Sequence, residues 1–177
     1  GNLAPLGHLL CTDFLGQRAA GAETATRGRL PGIERPAIAI SLPTKNGGTI
    51  LLDGGANSDC DPHNLLQFAF MGSVYAEAFS GKDKPRVALL SIGEERSKGN
   101  ELTRGAYELL ERSGLNFVGN LEGRDVFAGR ADVVVTDGFV GNVVLKFTET
   151  IVSYINSLIK DEVGRLSHTF NLMIEEL

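Results

Sequence analysis

Tryptophan is absent from this chain of 177 residues, and cysteine and histidine are scarce, at two and three. Cys11 and Cys60 have no metal-ligand spacing, and two cysteines are too few for a disulfide framework. That excludes a small stapled secreted domain and makes a reducing cytoplasm the expected location. His8, His63 and His168 lie far apart, and none has a Ser or Cys partner suggesting a catalytic triad. No HExxH, no Walker A loop and no GxGxxG opening a helix occurs. Positive charge is also short: 17 Lys and Arg stand against 22 Asp and Glu, for a net charge of −5. No broad basic face for nucleic acid is expected, although a local basic pocket remains compatible with that balance. No apolar run approaches the ~18–20 residues a spanning helix needs. The opening GNLAPLGHLLCTDFLGQR has an apolar patch but no basic stretch before it, and is not read as a signal peptide.

What is present is ordinary globular material: 42% hydrophobic and 22% charged residues, in a length suited to about one domain with a proper core. The 22 glycines form no low-complexity tract. They follow apolar runs, as at Gly54-Gly55, Gly93, Gly99, Gly119, Gly138 and Gly141, and so punctuate elements.

From Pro36, PAIAISLP reads as a strand; KNGG is a turn, and TILLD from Thr49 its hairpin partner. Asp61 then caps a helix opening on Pro62 and running to about Phe79. RVALLSIG from Arg86 is a continuous apolar run, as in a strand buried on both faces. A helix ELTRGAYELLERSG closes on Gly114. LNFVGNLEG and GRADVVVTDG supply two more strands, and GNVVLKFTETIVSYINSLIK a final core helix. This order predicts an α/β fold with a mixed, largely parallel sheet and flanking helices. Residues 36–160 form the expected core. Residues 1–35 are poorly patterned, with GQRAAGAETATRGRLPG left without structure. Residues 161–177 read as an amphipathic helical tail, with Val163, Leu166, Phe170, Met173 and Leu177 on one stripe.

In a parallel sheet, ligands bind beyond the carboxyl ends of the strands. Four strand ends carry polar clusters: LLDGGANSD, SIGEERSKGNE, FVGNLEGRD and VVVTDGFVGN. If those strands run parallel, all four open on one edge. Asp53 reads either as an Asx turn before glycines or, with Asn57, as a ligand contact. Lys98, Gly99 and Asn100 precede a helix, where backbone N–H groups receive anions. Glu94 and Glu95 read as a solvated acidic pair. Asp137 and Gly138 form a turn, Gly141 and Asn142 open the next helix, and Lys146 follows Asn142 at i,i+4. An ordinary cap explains Asp137 or Asn142, but not a lysine beside both. The edge suits a phosphate or an acyl phosphate.

The stretches RLPGIERPAIAISLPT, LLDGGANSDCDPHNLLQFAFMGSVYA, LLSIGEERSKGNELTRGAYELL and FVGNLEGRDVFAGRADVVVTDGFVGNVVLKFTET resemble the PlsX family of bacterial phosphate acyltransferases in phospholipid synthesis. They come in the family's order over roughly residues 29–150, and the whole chain is about half the family's usual length. The resemblance implies a fold like isopropylmalate dehydrogenase and phosphotransacetylase, a homodimer, and no metal or organic cofactor. The implied reaction joins acyl-[acyl carrier protein] and orthophosphate to give acyl phosphate and free carrier protein, in the cytosol or loosely at the membrane. In that reading Lys146, Asn142 and Asp137 serve catalysis, with Lys98 sharing in neutralising phosphate. Asp53, Asn57, Lys98, Gly99, Asn100, Gly138 and Gly141 hold substrate. A NAD- and metal-dependent decarboxylase of the same superfamily would need metal-binding aspartates that are not seen. A non-catalytic dimerisation or carrier-protein-binding module is the third reading.

Overall fold

The structure is a computed structural model that describes residues 12–15, 33–44 and 47–175. Six strands form one sheet in the order β1-β2-β3-β6-β4-β5. β1 (Thr12–Leu15) pairs antiparallel with β2 (Ala37–Thr44), which pairs antiparallel with β3 (Gly47–Leu52). The β2–β3 register sets Thr44 opposite Gly47, which leaves Lys45 and Asn46 as the connection; the KNGG turn thus begins outside the described residues. β3 then pairs parallel with β6 (Val133–Val135), β6 with β4 (Val87–Leu90), and β4 with β5 (Phe117–Leu121). The expected mixed, largely parallel sheet is therefore present. β1 falls in the amino-terminal stretch to which the sequence reading gave no strand, while GQRAAGAETATRGRLPG lies outside the described residues.

β4 and β6 are buried at every position, as their unbroken apolar runs require. One face carries α1 (Pro62–Ser80) and α2 (Glu101–Glu111). Leu65 and Phe68 of α1 and Leu110 of α2 pack there with Leu52, Leu89 and Val135 of the sheet. α1 begins where the sequence placed it. The Asp61 carboxylate accepts the Asn64 N–H at 2.9 Å, while the Asn64 side chain accepts the Asp61 N–H at 3.1 Å, a reciprocal capping box. α2 ends before Gly114, which takes φ +78° just beyond its last turn. Between β5 and β6 runs a short 3-10 helix (Gly123–Ala128) that the sequence reading did not resolve.

At the amino edge of the parallel strands the buried Asp132 acts as a clamp. Its carboxylate accepts from Lys82 Nζ at 2.6 Å and from the backbone N–H and Nε of Arg86 at 2.8 and 3.1 Å. Burial alone would raise this carboxyl. The hydrogen bonds and charge of Arg86 and Lys82 outweigh it and hold the group far below the usual carboxylate range.

α3 is a single helix, Gly138–Glu175, that continues without interruption through the region expected as a tail. The chain divides into two compact units, residues 1–142 and 143–177. In the second, Phe147, Tyr154 and Val163 are exposed. The side chains of Leu166, Phe170, Met173 and Leu177 lie outside the described residues. Among the described residues no helix is long and apolar enough to cross a membrane.

Candidate functional site

Because β3, β6, β4 and β5 run parallel, their carboxyl ends share one edge, and the four polar strand-end clusters follow there. The sheet thus satisfies the condition on which the sequence argument depended. Within that edge the candidate residues separate into two groups.

The first group surrounds Asp53, which is fully buried at the end of β3; the Leu52–Asp53 peptide is cis. Its Oδ1 accepts the N–H groups of Ile38, Gly55 and Ala56 at 2.9, 3.2 and 3.1 Å. Its Oδ2 accepts the Asn57 N–H at 2.7 Å and Asn57 Nδ2 at 2.8 Å. The Asx turn is therefore real, and the carboxylate is saturated from inside the protein. Asn57 Nδ2 also donates to the Pro36 carbonyl at 2.8 Å, so both of its N–H groups are spent internally. Asp53 and Asn57 shape the loop and offer no free side-chain donor to a ligand.

That loop is joined to the opening of α3 through backbone. The Gly138 N–H donates to the Asn57 carbonyl at 2.7 Å, and the Asp53 N–H to the Thr136 carbonyl at 3.0 Å. A Cβ at residue 138 would stand 2.7 Å from the Asn57 nitrogen, and one at residue 141 only 1.8 Å from the Asp53 carbonyl oxygen. Glycine is required at both by close approach. Gly55 meets Asn142 in the same way: its φ is +133°, and a Cβ there would lie 3.2 Å from the Asn142 Cβ. Asp137 caps α3, accepting the Val140 N–H at 3.0 Å on its side chain and the Gly141 N–H at 2.9 Å on its carbonyl. Cys60, beside this joint, donates to the Asn57 carbonyl. Burial pushes its thiol up to about 11, with the Gly138 backbone opposing and Asp137 and Asp53 adding to the rise.

The second group lies where β4 leads into α2. Asn100 is the cap of α2, accepting the Thr103 N–H at 2.9 Å. Gly99 takes φ +103°, and Lys98 is exposed with no ion-pair partner among the described residues. A cation, a glycine turn and a helix start thus sit together, the arrangement that receives anions. Glu94, read from sequence as solvated, is paired with Arg130. Ser91 and Asn120, which the sequence reading passed over, also belong to this corner.

Lys146 falls in the second unit, in α3. Its ammonium is 3.0 Å from Glu149. Among the described residues, no group of His, Cys, Asp or Glu is arranged to hold a metal ion.

These features define an α/β protein whose polar edge lies beyond a parallel sheet. A solved phosphotransacetylase from Streptococcus pyogenes has the same kind of fold, with a TM-score of 0.53 and 21% identity over 68% of this chain and 43% of that one. The family model described as "Fatty acid synthesis protein" matches residues 16–175, and the chain belongs to that family. A phosphate acyltransferase from Heliobacterium modesticaldum is 64% identical over 136 residues, 77% of this chain and 41% of the relative. One from Halothermothrix orenii is 57% identical over 152 residues, 84% and 46% of the two chains. The chain spans less than half the length of these curated relatives.

Proposed function

We infer that this chain carries the phosphate-binding edge of a phosphate acyltransferase, which moves an acyl group from acyl carrier protein to orthophosphate. The observation that carries the reading is the corner formed by Lys98, Gly99 and the Asn100-capped start of α2, at the common carboxyl edge of four parallel strands. High identity to phosphate acyltransferases supports it.

In the reaction, an oxygen of hydrogen phosphate attacks the thioester carbonyl carbon, and a tetrahedral oxyanion forms. The C–S bond then breaks, and the departing sulfur takes up the proton released by the phosphate. The products are acyl phosphate and carrier-protein thiol. The protein's task is to hold an anion against a carbonyl and to stabilise the second negative charge as it develops. In this proposal Lys98 neutralises phosphate, and the Gly99-Asn100 backbone and first turn of α2 orient it. Asp53, Asn57, Gly138 and Gly141 fix the neighbouring loop rather than touch the substrate. Asp137 and Asn142 set the opening of α3. Lys146 enters as a second cation on the sequence pattern alone.

The test is release of carrier-protein thiol from acyl carrier protein by this chain, with and without orthophosphate. Phosphate-dependent release is expected. Release indifferent to phosphate would refute the acyl-transfer reading. A second reading, a non-catalytic module that binds a second copy or the carrier protein, is favoured by the exposed Phe147, Tyr154 and Val163 of α3. It predicts no release together with complex formation. A cytoplasmic location and a peripheral contact with the membrane belong to the same proposal.

A further inference from the structure

Two buried side-chain oxygens have no hydrogen-bond partner in the described structure, Ser91 Oγ and Asn120 Oδ1. Such atoms are rare in a folded protein, and each calls for an occupant or a purpose. These two stand at the same corner. Ser91 immediately follows β4, and its N–H donates to the Leu121 carbonyl at the end of β5. A Cβ at Gly99 would begin 3.0 Å from the Ser91 hydroxyl, so the hydroxyl lies against the turn that leads into α2. Asn120 is 4% exposed and sits in β5, the neighbouring strand. Its Nδ2 donates to the Glu95 carbonyl at 3.0 Å. That bond fixes which end of the amide holds the loop, and leaves the oxygen unanswered.

The two orphans are chemically different. A serine hydroxyl can donate as well as accept, whereas an amide oxygen only accepts. Lys98 adds a positive charge to the same loop. We propose that Ser91 and Asn120 form a specificity subsite for a protonated oxyanion, in which Ser91 donates to a P–O oxygen and Asn120 Oδ1 accepts the P–OH hydrogen. The proposal rests on the phosphate reading above and deepens it: it says which protonation state of the anion is selected. A tetrahedral anion without a proton answers the serine but sets a lone pair against the amide oxygen. Both oxygens are closed to solvent and border the loop between Ser91 and Gly99, so the proposal requires the Lys98-Gly99 turn to move aside when the ligand binds. The Glu94–Arg130 pair holds the other side of that loop. A buried water bridging the two oxygens is the rival occupant.

The decisive probe is monofluorophosphate, which matches hydrogen phosphate in shape and charge but has fluorine where the hydroxyl stands. Calorimetric titration of the full chain near neutral pH, at constant ionic strength, compares phosphate, monofluorophosphate and sulfate. Phosphate is expected to bind about tenfold more tightly than either rival, the value of one well-placed hydrogen bond. Ser91→Ala should weaken all three anions while keeping phosphate ahead. Asn120→Leu should bring phosphate and monofluorophosphate within about twofold. Equal binding of the three anions by the unaltered chain overturns this inference and leaves the phosphate site standing. Binding of none of them overturns both. Phosphate affinity unchanged in Ser91→Ala assigns the space to water and overturns the subsite. The comparison on the unaltered chain decides the matter even if a variant fails to fold.

Discussion

The carbonyl oxygen of Asp53 lies 1.8 Å from the point where a Cβ of residue 141 would stand, so β3 and α3 meet with no room for a side chain between them. Gly141→Ala must push the strand end and the helix apart. A loss of about 3 kcal/mol is expected, the upper end of overpacking costs, with broken geometry across the Asp53–Asn57 loop. Urea unfolding at equilibrium measures it, and a loss below about 0.5 kcal/mol would show that the joint can yield.

Asp53→Asn is nearly isosteric yet reverses one half of the hydrogen bonding. Five N–H donors converge on the carboxylate, and an amide turns an NH2 group toward some of them. A cost of about 2–3 kcal/mol is expected from the donors left unpaired in a buried place. If the variant were as stable as the parent in the same unfolding assay, the network would be incidental to the fold.

Asp132 makes stability depend on acid. Its folded carboxyl lies below its unfolded value, so its contribution is complete above about pH 4 and is lost as pH falls through the depressed folded value. Asp132→Asn should cost about 1–2 kcal/mol at neutral pH, after allowing for solvent around the half-exposed Lys82 and Arg86. It should also flatten the pH dependence of the unfolding midpoint below about pH 4. Parallel curves for parent and variant across that range would rule out Asp132 as the source.

Cys60 should be a poor nucleophile. Burial lifts its thiol to about 11, which leaves little thiolate near pH 8. In a Cys11→Ser background, iodoacetamide should modify Cys60 on the order of 100-fold more slowly than a free thiol, with the rate climbing steeply toward pH 11. Rapid labelling at pH 7, read by mass spectrometry of peptides, would contradict the closed environment drawn here.

The two lysines of the proposal make different predictions. Lys98→Ala should raise the KM for phosphate about tenfold with little change in kcat or stability, since its ammonium has no ion-pair partner to lose among the described residues. Lys146→Ala should weaken phosphate use far more than folding, because its surface pair with Glu149 contributes little to stability. A folded Lys146 variant with unchanged phosphate dependence would remove that residue from the site.

The strands and helices were legible where local chemistry is strong. Pro62 behind an Asp cap marks the start of α1, and the unbroken apolar runs at β4 and β6 announce burial on both faces. β1 was not legible, because four residues of TDFL carry no period of their own and become a strand only by pairing with β2. The convergence of the four strand ends followed from grammar alone. What pattern could not show was which polar groups are already spent. Asp53 and Asn57 look like ligands in a line of letters, and only their partners show that the carboxylate and the amide N–H groups are already engaged within the protein. Ser91 and Asn120 look like filler until their missing partners are seen.

The joint between the Asp53–Asn57 loop and α3 is made largely of backbone atoms, and that has an evolutionary consequence. Side chains at Ala56, Phe139 or Val140 can drift without touching its hydrogen bonds, whereas Gly138 and Gly141 cannot change at all without opening it. The record of this architecture in distant descendants should therefore survive in two glycines with two residues between them, long after the hydrophobic strands have exchanged one aliphatic residue for another.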